Sequence, residues 1–335
     1  MKVGDESKSD YHKRISAAMD YIQNNLAKNY AEGLGLEAIA DSANMSPFHF
    51  HKVFKSVVGE TIADYIRRLK LEKSAGIFFY YKQVRITEVA MALGFSSSQN
   101  LAKAFKQHFN VTPSDVKSLT DKQQLISLIK KYSKYGNAQK KDFSYSNDSH
   151  LQRLDTKNMT EDISVIEGSL TEQKMNVPGQ LKISNVAQRT VIYKRLIGEY
   201  GAGIQQAAAE LQDFVVVNKL ATGDPLVINW DNPEITAPEK CRTDVCLTLL
   251  DGCKKSAPFN TQVISDGSHA VIRGTFNLDY NYEQAWHQLF HSIFDQGHQP
   301  EDSPCYKIMH LETSDPANGI FDISFCQEIS KNVGS

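Results

Sequence analysis

Residues 36–58 read LEAIADSANMSPFHFHKVFKSVV, and the break in the middle of this stretch decides how the N-terminal half folds. Leu36, Ile39, Ala40 and Ala43 recur at i, i+3, i+4 and i+7, the period of one helix face. The pattern fails at Asn44-Met45 and restarts at Ser46-Pro47. Serine favours a helix N-cap, and proline suits the first helical position, where its missing N–H would be unpaired anyway. Phe50, Val53, Phe54 and Val57 then carry a second apolar stripe. Two short helices joined by a tight turn make a helix-turn-helix. On the second helix Phe48, His51, Lys52 and Lys55 lie opposite the stripe. They offer donors, positive charge and an apolar ring, the groups that read base edges and hold phosphates from the major groove. One such pattern alone is more often a plain solvated face.

The pattern returns in residues 86–109, ITEVAMALGFSSSQNLAKAFKQHF. Val89-Ala90 matches Ile39-Ala40, and Gly94-Phe95-Ser96 matches Asn44-Met45-Ser46. Leu101, Ala104 and Phe105 match Phe50, Val53 and Phe54 after a one-residue insertion. Gly94 fits a turn that needs positive φ. Ser98, Gln99, Asn100, Lys103 and Lys106 are the outward candidates of this second copy. Duplication at matching turn positions is hard to obtain from chance periodicity. Residues 61–79 read as one connecting helix, roughly 28 Å long at 1.5 Å per residue. Successive major-groove entries on one face of a duplex lie about 34 Å apart, so such a rod holds two reading helices near that spacing. Arg67 and Arg68 are weaker candidates, as phosphate contacts or as snorkelling surface residues.

Residues 13–117 resemble the AraC/XylS-type DNA-binding domain. The resemblance rests on Leu36, Ile39-Ala40, Ser46, His49, Phe54-Lys55, Gly59, Tyr65-Ile66-Arg67, Gly94-Phe95, Phe105-Lys106, Phe109 and Thr112-Pro113. It implies that Phe48, His51 and Lys52 in the first unit, and Ser98, Gln99, Asn100 and Lys103 in the second, contact bases. Asn44 stands where the family often has glycine, and asparagine tolerates the left-handed turn.

The net charge of −2 conceals a division. Residues 13–141 hold 20 Lys and Arg against 10 Asp and Glu, while residues 142–335 hold 15 against 26. A basic block attracts a polyanion and an acidic one is repelled by it. The 335 residues suit more than one domain. The organisation expected is a tail at 1–12, a double helix-turn-helix domain at 13–118, a linker at 119–179 and a second domain at 180–331. The fold class is multi-domain, all-α in the first part and α+β in the second. No run reaches 18 apolar residues and the first dozen lack an apolar signal core, so a cytoplasmic chain without a membrane span is expected. The five cysteines, Cys241, Cys246, Cys253, Cys305 and Cys326, form no CxxC pair and read as small apolar residues.

Within the acidic half, residues 182–248 and 263–327 repeat one another as a β-α-β-β unit. Thr190-Val191-Ile192-Tyr193 matches Ala270-Val271-Ile272-Arg273, Ala207 and Leu211 match Ala285 and Leu289, and Asp244-Val245 matches Asp322-Ile323. A duplicated unit of this kind gives an α+β domain with pseudo-twofold symmetry, and the junction of its halves is a usual ligand cleft. Residues 180–330 resemble the gyrase-inhibitor-like effector-binding domain, by Gly198-Glu199-Tyr200, the DNPEITAPEKCRTDVC segment and the two-copy layout. The resemblance implies a small-molecule pocket in which an acid meets cationic ligands. Here that position is Lys307, and the usual nearby tyrosine is Met309, which points to a neutral or anionic ligand or none. Tyr200, Trp230, Phe276, Trp286, Tyr306 and Lys307 are the effector candidates. Each aromatic is as readily an ordinary core residue.

No phosphate-cradling glycine loop, zinc-protease motif or serine-hydrolase elbow occurs, so neither catalysis nor a cofactor is expected. His287 and His291, four apart, share a helix face but lack an evident third ligand, so no metal is expected either. The expected function is a sequence-specific transcription regulator modulated by a small molecule. Its partners are a double-stranded promoter site, RNA polymerase and an effector, and the chain acts as a monomer or dimer. Two rivals stay open: a small-molecule-binding or hydrolytic enzyme with incidental DNA binding, and a protein-sequestering module.

Overall fold

The computed structural model describes residues 3–26, 34–120, 124–125, 127–128, 176–250 and 258–331, apart from residues 234, 278, 279, 281 and 302. Most of the linker expected at 119–179 lies outside the described residues. The chain divides into two compact units, residues 1–142 with 232–240, and the remainder.

The first unit is helical: α1 (Val3–Asn24), α2 (Leu36–Ser42), α3 (Pro47–Val58), α4 (Ile62–Tyr80), α5 (Ile86–Ala92), α6 (Ser98–Phe109) and α7 (Pro113–Ser118). Helix α1 takes in most of the stretch read as a tail. The repeat, 50 residues at the turns and 51 beyond the one-residue insertion, is visible in the stop and start signals. Asn44 and Gly94 turn the chain at φ 51° and 68°. Gly59 and Asn110 end α3 and α6 in the same left-handed region, at φ 79° and 60°. Thr61 and Thr112 then cap α4 and α7, each accepting from the backbone N–H of an aspartate three residues on, Asp64 and Asp115. Such caps satisfy N–H groups that a helix start leaves without partners.

The seven-residue helices α2 and α5 are too short to persist alone. They are held because Ile39 and Ala40, and Val89 and Ala90, are buried. Helix α4 supplies the wall behind both units. Near its start Tyr65 meets Phe54 edge-on at 5.3 Å, and near its end Phe78 meets Phe105 at 5.9 Å. The second core gathers Leu71, Ala75, Phe78 and Phe79 with Val89, Leu101, Phe105 and Phe109.

The second unit is one antiparallel sheet with two helices, α8 (Ile204–Val217) and α9 (Tyr282–Asp295). Its strands are β1 (Lys182–Val186), β2 (Arg189–Ile197), β3 (Thr222–Asn229), β4 (Arg242–Leu249), β5 (Asn260–Ile264), β6 (Gly267–Asn277), β7 (His298–Pro300), β8 (Cys305–Met309) and β9 (Ile320–Lys331). The order is β1-β6-β9-β8-β3-β4-β2-β5, with β7 on β9. The two copies meet at β3–β8, in a register that sets Leu226 opposite Ile308. The opening strand of each copy pairs within the other: β1 with β6, and β5 with β2. Helix α8 packs against Ile192, Val245 and Leu247, and α9 against Ala270, Ile272, Phe321 and Ile323.

The opposite face of the sheet buries Val191, Tyr193, Leu226, Ile228, Cys246, Tyr306 and Ile308. At one end of that layer Arg195 grips Asp244 with two hydrogen bonds, 2.7 and 2.6 Å. Trp230 Nε1 and Gln262 Nε2 also donate to Asp244, at 2.7 and 2.9 Å. Both charged side chains are essentially inaccessible, at 1% and 0% exposure. Breaking a buried pair by removing one partner strands the other charge, at a cost of about 3–5 kcal/mol. Asp244→Asn is therefore expected to destabilise this unit by an amount of that order. Urea unfolding followed by tryptophan fluorescence reads it selectively, because Trp230 and Trp286 are the chain's two tryptophans.

Candidate nucleic-acid interface and effector site

Helix α3 buries Phe50, Phe54 and Val58, and α6 buries Leu101, Phe105 and Phe109. That inward stripe fixes what faces outward. Phe48, His51, Lys52 and Lys55 are exposed on α3, and Gln99, Asn100, Lys103 and Lys106 on α6, with Ser98 half-buried at its first turn. Phe48 is 74% exposed, an uncommon state for a phenylalanine. The Lys52 ammonium rests over its ring, 4.3 Å from the centroid. An apolar surface with a cation laid across it suits a thymine methyl beside a phosphate.

The second copy is more polar. The Ser97 hydroxyl accepts from the Asn100 backbone N–H at 3.1 Å and so starts α6. Asn100 Nδ2 donates to the Ser96 hydroxyl at 2.6 Å, and Ser98 Oγ donates to Gln99 Oε1 at 3.2 Å. These contacts hold both amides beside the turn. Lys103 and Lys106 follow at helical spacing. The first unit is braced from behind: Tyr11 meets His49 at 3.1 Å, and Arg14 donates to the Asn44 carbonyl at 3.0 Å.

The structure corrects the reading of Arg68. Arg67 is exposed, but Arg68 is 3% exposed and its guanidinium is taken up by two acids. It donates to Glu60 at 2.7 Å and to Glu72 at 3.1 Å. Burial disfavours its charge, yet Glu72 and Glu60 outweigh that and hold its pKa above the ordinary arginine value. A guanidinium so enclosed is out of reach of a phosphate.

The effector candidates do not line one pocket. Tyr306 lies on the face opposite the helices, 2% exposed, next to Ile308 and Cys326. Trp230 packs against that same layer, held by Asp244 and lying under the Arg195 and Arg242 guanidinium groups. Tyr200 is tied to the backbone of Asp231. Phe276 is fully buried in the α9 core, so it is packing and not lining. Trp286 and Lys307 belong to the helix side. The Lys307 ammonium sits 4.4 Å from the Tyr282 ring centroid, and Trp286 meets Phe325 edge-on at 4.9 Å. Lys307 faces Val227 across the β3–β8 seam, where Val227 packs at the margin of the α8 core and Met309 of β8 at the margin of the α9 core. Tyr282, which the sequence reading missed, joins Lys307 and Trp286 there; its place one turn before Trp286 on α9 was the available signal.

His310 links three strands, through Asp224 at 3.2 Å and the Ser324 hydroxyl at 2.8 Å. Arg273 pairs with Asp322 at 2.8 and 2.6 Å. Burial works against the Asp322 charge, but Arg273 and Thr313 overcome it and hold the carboxyl below the usual range. His291 pairs with Asp295 at 2.8 Å, and among the described residues no three His, Cys, Asp or Glu side chains are placed to hold a metal. Among the same residues no helix is long and apolar enough to cross a membrane.

Two helix-turn-helix units sharing one connecting helix define a duplex-reading module, and the duplicated sheet defines a small-molecule domain. Comparison with known proteins agrees. A profile for helix-turn-helix domains matches residues 39–118, and one for GyrI-like small molecule binding domains matches residues 180–275. A DNA gyrase inhibitor of Yersinia enterocolitica is 30% identical over 156 residues, 45% of this chain and 98% of that protein. The probable transcription factor PqrA of Proteus vulgaris is 30% identical over 99 residues, 30% of this chain and 79% of its own length. An AraC-type DNA-binding domain from Chromobacterium violaceum aligns with 31% of this chain and 89% of its own at 23% identity, with a TM-score of 0.29. The chain belongs to the AraC-type DNA-binding transcription regulators and carries a GyrI-like small-molecule-binding domain as its second part.

The two adjacent arginines separate cleanly by experiment. Arg68→Gln is expected to lower stability by about 3–5 kcal/mol, because Glu60 and Glu72 lose their buried cation. Arg67→Gln is expected to shift the melting temperature by no more than about 2–4 °C, as for surface changes of ±0.5 kcal/mol or less. Thermal unfolding followed by far-ultraviolet circular dichroism measures both.

Proposed function

We propose that α3 and α6 read consecutive segments of an asymmetric promoter site, with Phe48, His51, Lys52, Ser98, Gln99, Asn100 and Lys103 at base edges. Lys55, Lys106 and Arg67 hold the backbone. The observation that carries this reading is the repeated outward set on two helices built from the same caps and turns. Phosphate contacts supply salt-dependent affinity, and base contacts supply choice of sequence. A ligand at the β3–β8 seam, between Lys307, Tyr282 and Trp286, modulates the activity. It does so only by binding unequally to the active and inactive states. A single lysine beside aromatic rings suits a flat ligand bearing an anionic group. RNA polymerase is the partner such a regulator acts on, and the chain works in the cytoplasm, as a monomer or as a dimer through its acidic unit.

Lys103→Ala is expected to weaken binding to the gene's own upstream region by about 1–3 kcal/mol, and binding to random duplex DNA far less. Gel-shift titrations on both duplexes measure this. An equal loss on the two would remove Lys103 from base reading.

A second reading, a hydrolase, has one observation in its favour: Ser324, His310 and Asp224 stand in the order of a nucleophile, a base and its orienting acid. Ser324, however, is 5% exposed and pairs on both sides in the middle of the sheet, with Arg273 and with Ile308. That enclosure keeps a carbonyl carbon from its hydroxyl. Accordingly, Ser324→Ala is expected to leave turnover of a simple aryl ester at the uncatalysed background; a Ser324-dependent rate would reverse the order of the two readings.

A further inference from the structure

A groove of about 540 Å³ lies between α4 and the second helix-turn-helix. Arg67 and Lys70 come to it from α4, Ser96 from the turn, and Asn100, Lys103 and Gln107 from α6. No aspartate or glutamate lines it. Lys70 is the unusual member. It is 6% exposed, and no carboxylate, carbonyl or hydroxyl among the described residues hydrogen-bonds to it. Burial alone lowers its pKa from the ordinary lysine value. The stem of Lys70 is buried while its ammonium reaches the groove with no protein anion beside it, so an anion entering the groove gains a charge-assisted hydrogen bond. Its neighbour Arg68 shows the usual solution, two glutamates around one guanidinium. Lys70 has none, and its groove adds two further cations.

We propose that this groove is a phosphate-binding site, with Lys70 and Arg67 as its cations and Ser96 and Gln107 as neutral hydrogen-bonding groups, next to the base-reading Asn100 and Lys103. Two cations and two neutral polar groups match the several acceptor oxygens of a phosphate. The phosphate comes from one of two sources. A duplex read by α6 presents its backbone beside Asn100 and Lys103, which share this groove; this deepens the DNA-reading proposal and rests on it. A free phosphorylated small molecule would instead compete with DNA for the same cations, and so regulate binding from within the DNA-binding unit.

The full chain tests this in two arms. In the first, binding to the gene's upstream DNA is titrated between 50 and 200 mM salt for the wild type and for Lys70→Met. Loss of one phosphate contact is expected to reduce the slope of log K against log[salt] by about 0.9. In the second, melting temperature is followed against inorganic pyrophosphate at constant ionic strength. A rise in the wild type that Lys70→Met abolishes assigns the groove to free phosphate; a change in slope alone assigns it to the DNA backbone. Lys70→Arg keeps the charge and is expected to restore either response. Methionine keeps the buried apolar stem and removes only the ammonium, so the fold is expected to hold, and Lys70→Gln serves as a second variant should it not. A folded Lys70→Met or Lys70→Gln protein with the wild-type salt slope and the wild-type pyrophosphate response overturns the proposal. If the wild type does not bind its upstream DNA at all, the regulatory reading fails, and the groove stands or falls on the pyrophosphate arm.

Discussion

Helix α2 and helix α5 are each about two turns long, and neither can hold its shape in water without something to lean on. The first unit answers this with a shared wall. Helix α4 buries eleven of its residues, with Tyr65 toward the first helix pair and Phe78 toward the second. Because one helix supports both pairs, the two reading helices cannot drift independently without opening a core. Burial of a phenylalanine such as Phe54 or Phe105 stabilises by about 1.5–3 kcal/mol. Positioning accuracy and stability are in this way the same interaction.

The same wall explains the placement of charge. A helix that must be buried on two sides has little room for acids, and those it keeps, such as Glu72, are engaged by Arg68. Lys70, Arg67 and Lys103 are left facing a common groove. The basic excess of residues 13–141 is thus concentrated where α4 and α6 meet as well as spread over the surface.

Much of this was legible in the sequence. The helix-turn-helix outline followed from apolar spacing, and the duplication followed from Asn44 and Gly94 standing at matching turns. What escaped did so for definite reasons. Arg67-Arg68 looks like one basic patch, but adjacent helical residues are about 100° apart, so only one of them can share the face of Tyr65, Leu69 and Glu72. That face is buried, and Arg68 is on it. Tyr306 and Lys307 were grouped as pocket residues although neighbours in a strand point to opposite faces. The period-two rule separates them once β8 is recognised as a strand. The exchange of opening strands between copies, β1 onto β6 and β5 onto β2, left no local mark. Strand order is a non-local property, and a repeat alone does not say which copy an edge strand joins. The shallow groove around Lys70 escaped as well, because its members are separated by up to 40 residues and meet only through packing.

The sheet's central register carries a consequence of its own. Val227 facing Lys307, 80 residues apart like Val191 and Val271, marks a near-twofold axis, the arrangement two identical subunits would adopt about a shared strand pair. Identical subunits are bound to present the same side chain on both sides of such an axis. Fusing the halves into one polypeptide lifts that obligation, and across the seam Lys307 confronts Val227. A guest at the proposed seam site would accordingly be freed from being a palindrome: a molecule charged at one end and greasy at the other would find a single preferred orientation.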